Sequence, residues 1–188
     1  FLVPSEVKAS FERTVYSLRQ KKLFRFSDEE VVEIDVKMPG KEFRARRKGG
    51  KWHWARPAFT EEIPLEKASE LVYAFQSLYV KEFLDGEDPS KKELGLSPAR
   101  AFLTVKEKGG KEEKLVLGAP ESRKEALYAF REGEKAVFLV SEKNLRSLVQ
   151  TFETTFLEQS TRSDNQRETD SGSGKDSGSR PPVPEKSG

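Results

Sequence analysis

The single histidine and the absence of cysteine limit the chemistry that this chain can carry out. The 188 residues include one His, His53, and no Cys, so thiol catalysis, disulfides and thiolate metal sites are excluded. A metal site built from several histidines is excluded too, since such sites need converging ligands. His53 lies between Trp52 and Trp54, and on a strand it falls on the face opposite both tryptophans. We therefore interpret His53 as a surface residue.

Acidic residues are abundant, and two of them could act as general acid and base. Their adjacent pairs lie at turns or at the starts of elements, where solvated charges are expected: Glu29-Glu30, Glu61-Glu62 and Glu112-Glu113. Nothing in this spacing selects a catalytic pair, so the sequence predicts a protein that is not an enzyme. A hydrolase that uses carboxylates remains an alternative.

Basic residues alternate with two tryptophans in the segment 41–57. Such a hairpin can hold single-stranded nucleic acid by stacking and phosphate contacts, which gives a second alternative function. Strand alternation favours a simpler interpretation, with the arginines on a solvated face and the tryptophans toward the core. The net charge of +2 also supplies no large positive field for nucleic acid. The possible partner-binding residues are Arg44, Arg46, Trp52, Trp54 and Arg56.

Apolar spacing and turn residues predict the order of the secondary-structure elements. A 3.6-residue period predicts helices over 5–22, from Pro64 to Leu78 and from Leu145 to Phe156. Two-residue alternation between turns predicts strands at 32–36, 43–47, 52–57, 101–105, 115–118, 127–130 and 136–140, with a short extended piece at Phe83-Leu84.

These elements predict an α+β fold of antiparallel β-meanders, each backed by an amphipathic helix. The apolar faces of strands and helices must bury one another to form layers. The predicted core residues are Trp52, Trp54, Leu71, Phe75, Leu78, Leu103, Val105, Leu117, Phe138 and Val140.

A short internal repeat suggests how the chain is divided. Phe1-Leu2-Val3 recurs as Phe138-Leu139-Val140, and a polar break and a helical pattern follow each copy. We interpret residues 1–23 as the C-terminal end of a preceding repeat unit, and 24–158 as one complete unit. Ser, Gly, Asp, Arg and Pro dominate residues 159–188 without apolar periodicity, which predicts a disordered tail.

The order of several short motifs resembles the bacterial family catalogued as domain of unknown function 4340. The strand with Trp52 and Pro57 leads to a helix, the turn Leu94-Gly95-Leu96-Ser97-Pro98, the strand end Leu115-Val116-Leu117-Gly118 and the strand with Tyr128-Ala129. The resemblance covers about residues 1–157. It departs from the family at Leu96-Ser97-Pro98, where members usually carry one more residue before Pro.

The resemblance implies a function in the bacterial cell envelope. Family members are typically anchored by an N-terminal membrane helix and are often encoded beside gliding-type ABC transporter components. We therefore expect a non-catalytic interaction or scaffold module on the extracytoplasmic side of the inner membrane, auxiliary to an ABC-type transporter complex. The expected partner is a transporter protein, with no nucleic acid, cofactor or metal. Membrane attachment is expected only through an anchor outside this fragment.

Overall fold

The computed structural model describes residues 21–58 and 62–171, with side chains described as far as residue 161. The chain divides into two compact units, Phe1–Glu153 and Thr154–Gly188. Among the described residues, no helix is both long enough and apolar enough to cross a membrane.

Within residues 21–58 and 62–171, nine antiparallel strands form one sheet. The strands are β1 (Val31–Met38), β2 (Lys41–Lys48), β3 (Lys51–Arg56), β4 (Glu62–Ile63), β5 (Val80–Leu84), β6 (Ala101–Glu107), β7 (Glu112–Glu121), β8 (Ala126–Arg131) and β9 (Val137–Ser141). They lie in the order β4-β3-β2-β1-β6-β7-β8-β9-β5. The α+β class and the antiparallel meanders are thus confirmed. The two meanders are not separate, however, because β1 pairs with β6 and joins them edge to edge.

Among the described residues, one α-helix follows β4 and another follows β9, and residues 142–153 of the second cover the same face of the sheet as the first. They are α1 (Leu65–Gln76) and α2 (Glu142–Ser171). The ring of Phe152 in α2 lies 6.1 Å from the rings of Phe43 and Trp54 in the sheet and 5.9 Å from Phe75 in α1. A single aromatic cluster therefore joins both helices to β2 and β3 on one layer, and one helix behind each meander stays a prediction. All ten predicted core residues are buried.

Helix α1 buries an apolar stripe of Ala68, Leu71, Val72 and Phe75, which agrees with the predicted period. Leu65 has the same spacing as this stripe, but it is 75% exposed. It is the first residue of the helix, one turn before the buried stripe begins.

Strand β1 departs from the simple alternation predicted for Val32, Ile34 and Val36. Val31 is buried while Val32 is only half-buried. The pairing of β1 with β6 shifts between Val31 and Glu33. Such a bulge places one extra residue in the strand and changes which side chains face the core.

On the opposite face, the turn that contains Leu94 and Leu96 covers only the part of the sheet near β7 and β9, where these leucines pack against Val116 and Val137. This contact requires Gly118 in β7, because a Cβ atom there would lie against the Leu94 carbonyl oxygen and within 2.9 Å of the Leu96 side chain. The turn at 94–98 and the strand end at 115–118 are two separate motifs of the family resemblance. In the structure these two motifs pack against each other.

The chain just before β1 belongs to the same body as the sheet. Lys22 forms a β-bridge with Tyr79, and Leu23 is fully buried. The expected helix therefore does not include residues 21 and 22, whose backbone pairs with another segment instead. The rest of that helix, and most of the predicted unit 1–23, lie outside the described residues. The repeat stays a prediction.

Helix α2 extends into the segment 159–188, for which the composition predicts a disordered tail. Helix α2 continues through residue 158 and ends at Ser171. Once a helix is nucleated, each further residue adds a backbone hydrogen bond without needing an apolar contact. Polar composition at 159–171 therefore did not exclude a helix. Residues 172–188 of the predicted tail lie outside the described residues.

Candidate functional site

The two tryptophans of the predicted partner-binding set lie in the core. Trp52 and Trp54 are buried, and Trp54 contacts the ring of Phe43 at 6.1 Å between centroids. They extend toward the face that α1 and α2 cover, as strand alternation predicted. In the folded protein these two side chains are not exposed for contact with a partner, which leaves the three arginines of the set.

The three arginines lie together on the opposite, open face of the sheet. Arg44 donates to Asp35 at 2.7 Å, and Arg56 donates to Glu42 at 3.0 Å. Arg44 also lies 3.9 Å from Glu42, so the carboxylate of Glu42 connects the two arginines. The hydrogen bond to Asp35 is the main reason why the pKa of Arg44 is raised above its ordinary value.

Glu33 is the centre of this charged face. Its side chain is only 6% exposed, and both Nε and Nη2 of Arg46 lie 2.6 Å from its Oε2. Lys106 from β6 and Arg44 from β2 lie 3.6 and 3.9 Å from its other oxygen. Three cations therefore surround one desolvated carboxylate, which holds β1, β2 and β6 in a fixed polar arrangement.

Charges of both signs pair on this face. We define the charged lattice as four cations, Arg44, Arg46, Arg56 and Lys106, with four anions, Glu33, Asp35, Glu42 and Glu112. Lys106 completes it by an ion pair with Glu112 at 3.1 Å, and this hydrogen bond is the main cause of its raised pKa. Within the lattice each cation is paired with a carboxylate, and this pairing weakens its attraction for a phosphate backbone.

His53 occupies the same face, where the strand register places it beside Arg46 and Glu62. It is half-buried, on the face opposite the tryptophans as predicted. Over residues 21–58 and 62–171, no cluster of three or more His, Asp or Glu side chains is arranged to hold a metal ion.

The acidic half of the charged lattice was missed from the sequence. Glu33 and Asp35 come from β1, and Glu42 comes from β2. A signal was present for part of it, since a hairpin across Pro39-Gly40 brings acids of one strand opposite arginines of the next. No local signal places Lys106 beside Glu33, because that contact depends on the pairing of β1 with β6.

Another concave surface lies beside α2, near the β1–β2 turn. It is a groove of about 540 Å³ with an apolar floor that includes Met38, Leu127, Leu145 and Val149. Acidic residues at its rim pair with cations: Glu142 accepts from Arg146 at 2.6 Å, and Glu153 forms an ion pair with Lys41. The two carboxylates are thus neutralised separately, instead of facing each other as an acid–base pair.

The fold and the charged lattice define an α+β protein with one polar sheet face. The family model for the domain of unknown function DUF4340 matches residues 1–98, and the chain belongs to this family. The match confirms the resemblance and ends at Pro98, so it does not extend over the rest of the predicted repeat unit. Comparisons with curated proteins and with solved structures found no match.

Proposed function

We propose that this chain is a non-catalytic protein-binding module that uses the charged lattice as its docking surface. The observation that carries this proposal is the paired set of charges fixed on one sheet face, around the desolvated Glu33. Fixed charges of both signs favour a partner with a complementary pattern and disfavour other partners. Arginine is also enriched at protein interfaces.

The proposed cellular setting follows from the family. The resemblance implies an envelope protein on the extracytoplasmic side of the inner membrane, auxiliary to an ABC-type transporter complex. We propose that the partner is a component of such a transporter, whose docking surface offers acidic groups opposite Arg46 and Arg56. These two arginines are the most exposed cations of the arginine set, at 58% and 57%.

Site-specific photo-crosslinking in the native membrane tests this function. A photoreactive residue at Lys37, an exposed position of β1, is compared with and without Arg46→Glu plus Arg56→Glu. We expect a crosslink to a transporter component, lost in the double variant because two attractions become repulsions. The matched control, Lys135→Glu plus Lys143→Glu, makes the same change in net charge at exposed positions outside the lattice.

Three results would argue against protein docking on the charged lattice. A crosslink that survives Arg46→Glu plus Arg56→Glu, or that the control abolishes equally, contradicts docking on the charged lattice. Binding of single-stranded oligonucleotides that weakens steeply with salt favours the nucleic-acid alternative instead. Fluorescence of the buried Trp52 and Trp54 checks that the variants are folded.

A further inference from the structure

The chain contains a single sulfur atom, which belongs to Met38, since its composition includes one Met and no Cys. Met38 is the last residue of β1, directly before the turn at Pro39 and Gly40, and its side chain is half-buried. It lines the groove of about 540 Å³ beside α2. A thioether in such a position is accessible to a small oxidant, and the chain has no thiol that would react first.

Met38 lies beside an ion pair that links the sheet to α2. It pairs directly with Lys41 across the β1–β2 hairpin, so the two side chains extend to the same face of the sheet, with Cβ atoms about 5 Å apart. The ammonium of Lys41 forms an ion pair with Glu153 of α2. Lys41 thus connects the hairpin to the helix next to the thioether.

The surroundings of Met38 suit a reduced thioether and not its oxidised form. Leu145 and Val149 line the same groove and are buried, and a thioether packs against such side chains without requiring a hydrogen-bond partner. A sulfoxide is polar, and its oxygen is unfavourable in an apolar place unless it accepts a hydrogen bond. The ammonium of Lys41, directly opposite in the hairpin, is a suitable donor, but it is already the partner of Glu153.

We propose that Met38 is a site of reversible oxidation, and that its sulfoxide breaks the link between the β1–β2 turn and α2. Hydrogen peroxide supplies the oxygen atom: the sulfur lone pair attacks one peroxide oxygen, the S–O bond forms and the O–O bond breaks. The sulfur is oxidised, the peroxide is reduced, and the proton of the transferred oxygen joins the departing hydroxide as water. The sulfoxide oxygen then accepts a hydrogen bond from Lys41 in place of Glu153.

This oxidation site is separate from the proposed docking surface. Met38 and Lys41 extend to the face of the sheet on which Glu153 of α2 lies, whereas the charged lattice occupies the opposite face. The proposal therefore does not depend on the proposed function, and its test does not involve a partner protein.

Treatment of the full chain with hydrogen peroxide, followed by peptide mass spectrometry, tests the site. We expect the peptide that contains Met38 to gain one oxygen atom while the protein is folded. The Tm of the oxidised protein should decrease by roughly 2–4 °C, as expected when one polar contact is lost in a chain of this size. Hydrogen exchange should become faster at residues 38–41 and 145–153. The two methionine sulfoxide reductases, one for each epimer, should restore the Tm.

Three variants separate the proposed link from other effects of peroxide. Met38→Leu keeps an apolar side chain of similar volume and removes the sulfur, so peroxide should leave its Tm unchanged. Glu153→Gln removes the anion that pairs with Lys41, so oxidation of Met38 should lower the Tm less in this background. Glu62→Gln is the matched control, since it breaks an exposed ion pair with Lys51 away from the groove and should leave the full decrease in place.

Several outcomes overturn the proposal. If Met38 is not oxidised while the protein is folded, it is not a modification site. If the Tm does not change on oxidation, or decreases as much in Glu153→Gln as in Glu62→Gln, the sulfoxide does not compete for Lys41. A decrease that persists in Met38→Leu, or that the reductases do not reverse, has another cause, such as oxidation of a tryptophan. Each of these results leaves docking on the charged lattice untouched.

Discussion

Replacing Gly118 by alanine is expected to destabilise the protein through lack of space. The added Cβ would lie against the Leu94 carbonyl oxygen and 2.9 and 3.0 Å from Cδ2 and Cγ of Leu96. The Leu96 side chain can rotate away, but the backbone oxygen cannot move without displacing the whole turn. Overpacking typically costs about 1–3 kcal/mol, and the backbone obstacle places this substitution near the upper end, at about 3 kcal/mol.

Urea denaturation followed by the fluorescence of Trp52 and Trp54 measures this loss. A loss of about 3 kcal/mol corresponds to a decrease in Tm of roughly 6–12 °C for a chain of this size. In a Leu96→Ala background, Gly118→Ala should remain destabilising, because the Leu94 carbonyl stays in place.

Gly133→Ala is the matched control. Its Cβ would meet nothing within 4 Å, but the residue has a φ of +84°, so its cost comes only from the left-handed backbone, about 1–2 kcal/mol. If Gly118→Ala proves less destabilising than Gly133→Ala, the contact between the Gly-Leu turn and β7 is not the constraint described above.

Two further substitutions and one pH titration address the core and the polar contacts. Phe152→Ala should lower the free energy of unfolding by about 3–5 kcal/mol, because it removes the ring that joins both helices to the sheet. Glu33→Gln should cost about 1–2 kcal/mol, less than for a fully buried ion pair because Arg46 is more than half exposed; urea denaturation measures both changes. Tyr128 donates to Glu121 at 2.7 Å, which raises its pKa to about 12. The stabilisation from that contact is present below pH 10 and is lost as the pH rises to about 12, and absorbance at 295 nm follows the phenol.

The controls for these three predictions use exposed or matched positions. Leu157→Ala removes a side chain that is 61% exposed and should change stability by less than about 0.5 kcal/mol. Glu62→Gln breaks an exposed ion pair with Lys51 and should also cost less than about 1 kcal/mol. Glu121→Gln should return the Tyr128 pKa toward 10. An unchanged titration in that variant, or equal losses at Glu33 and Glu62, contradicts the reasoning.

Local patterns determined which side chains face the core. In β2 and β3 the alternation of apolar and charged residues placed the tryptophans inward and the arginines outward, as the structure has them. This is predictable because successive residues of a strand extend to opposite faces regardless of which strands are neighbours. The period of α1 likewise fixed its buried stripe, apart from Leu65 at its first turn.

Only the tertiary structure decided how the elements combine. The pairing of β1 with β6 merges two meanders into one sheet and brings Lys106 to Glu33, although the two residues are far apart in the sequence. The turn at Leu94 packs directly against the backbone of Gly118, because glycine has no Cβ atom there. No local sequence pattern predicts this contact. Sequence periodicity specifies which face of a strand or helix is buried. Which elements become neighbours depends on non-local strand pairing and on the space between packed segments.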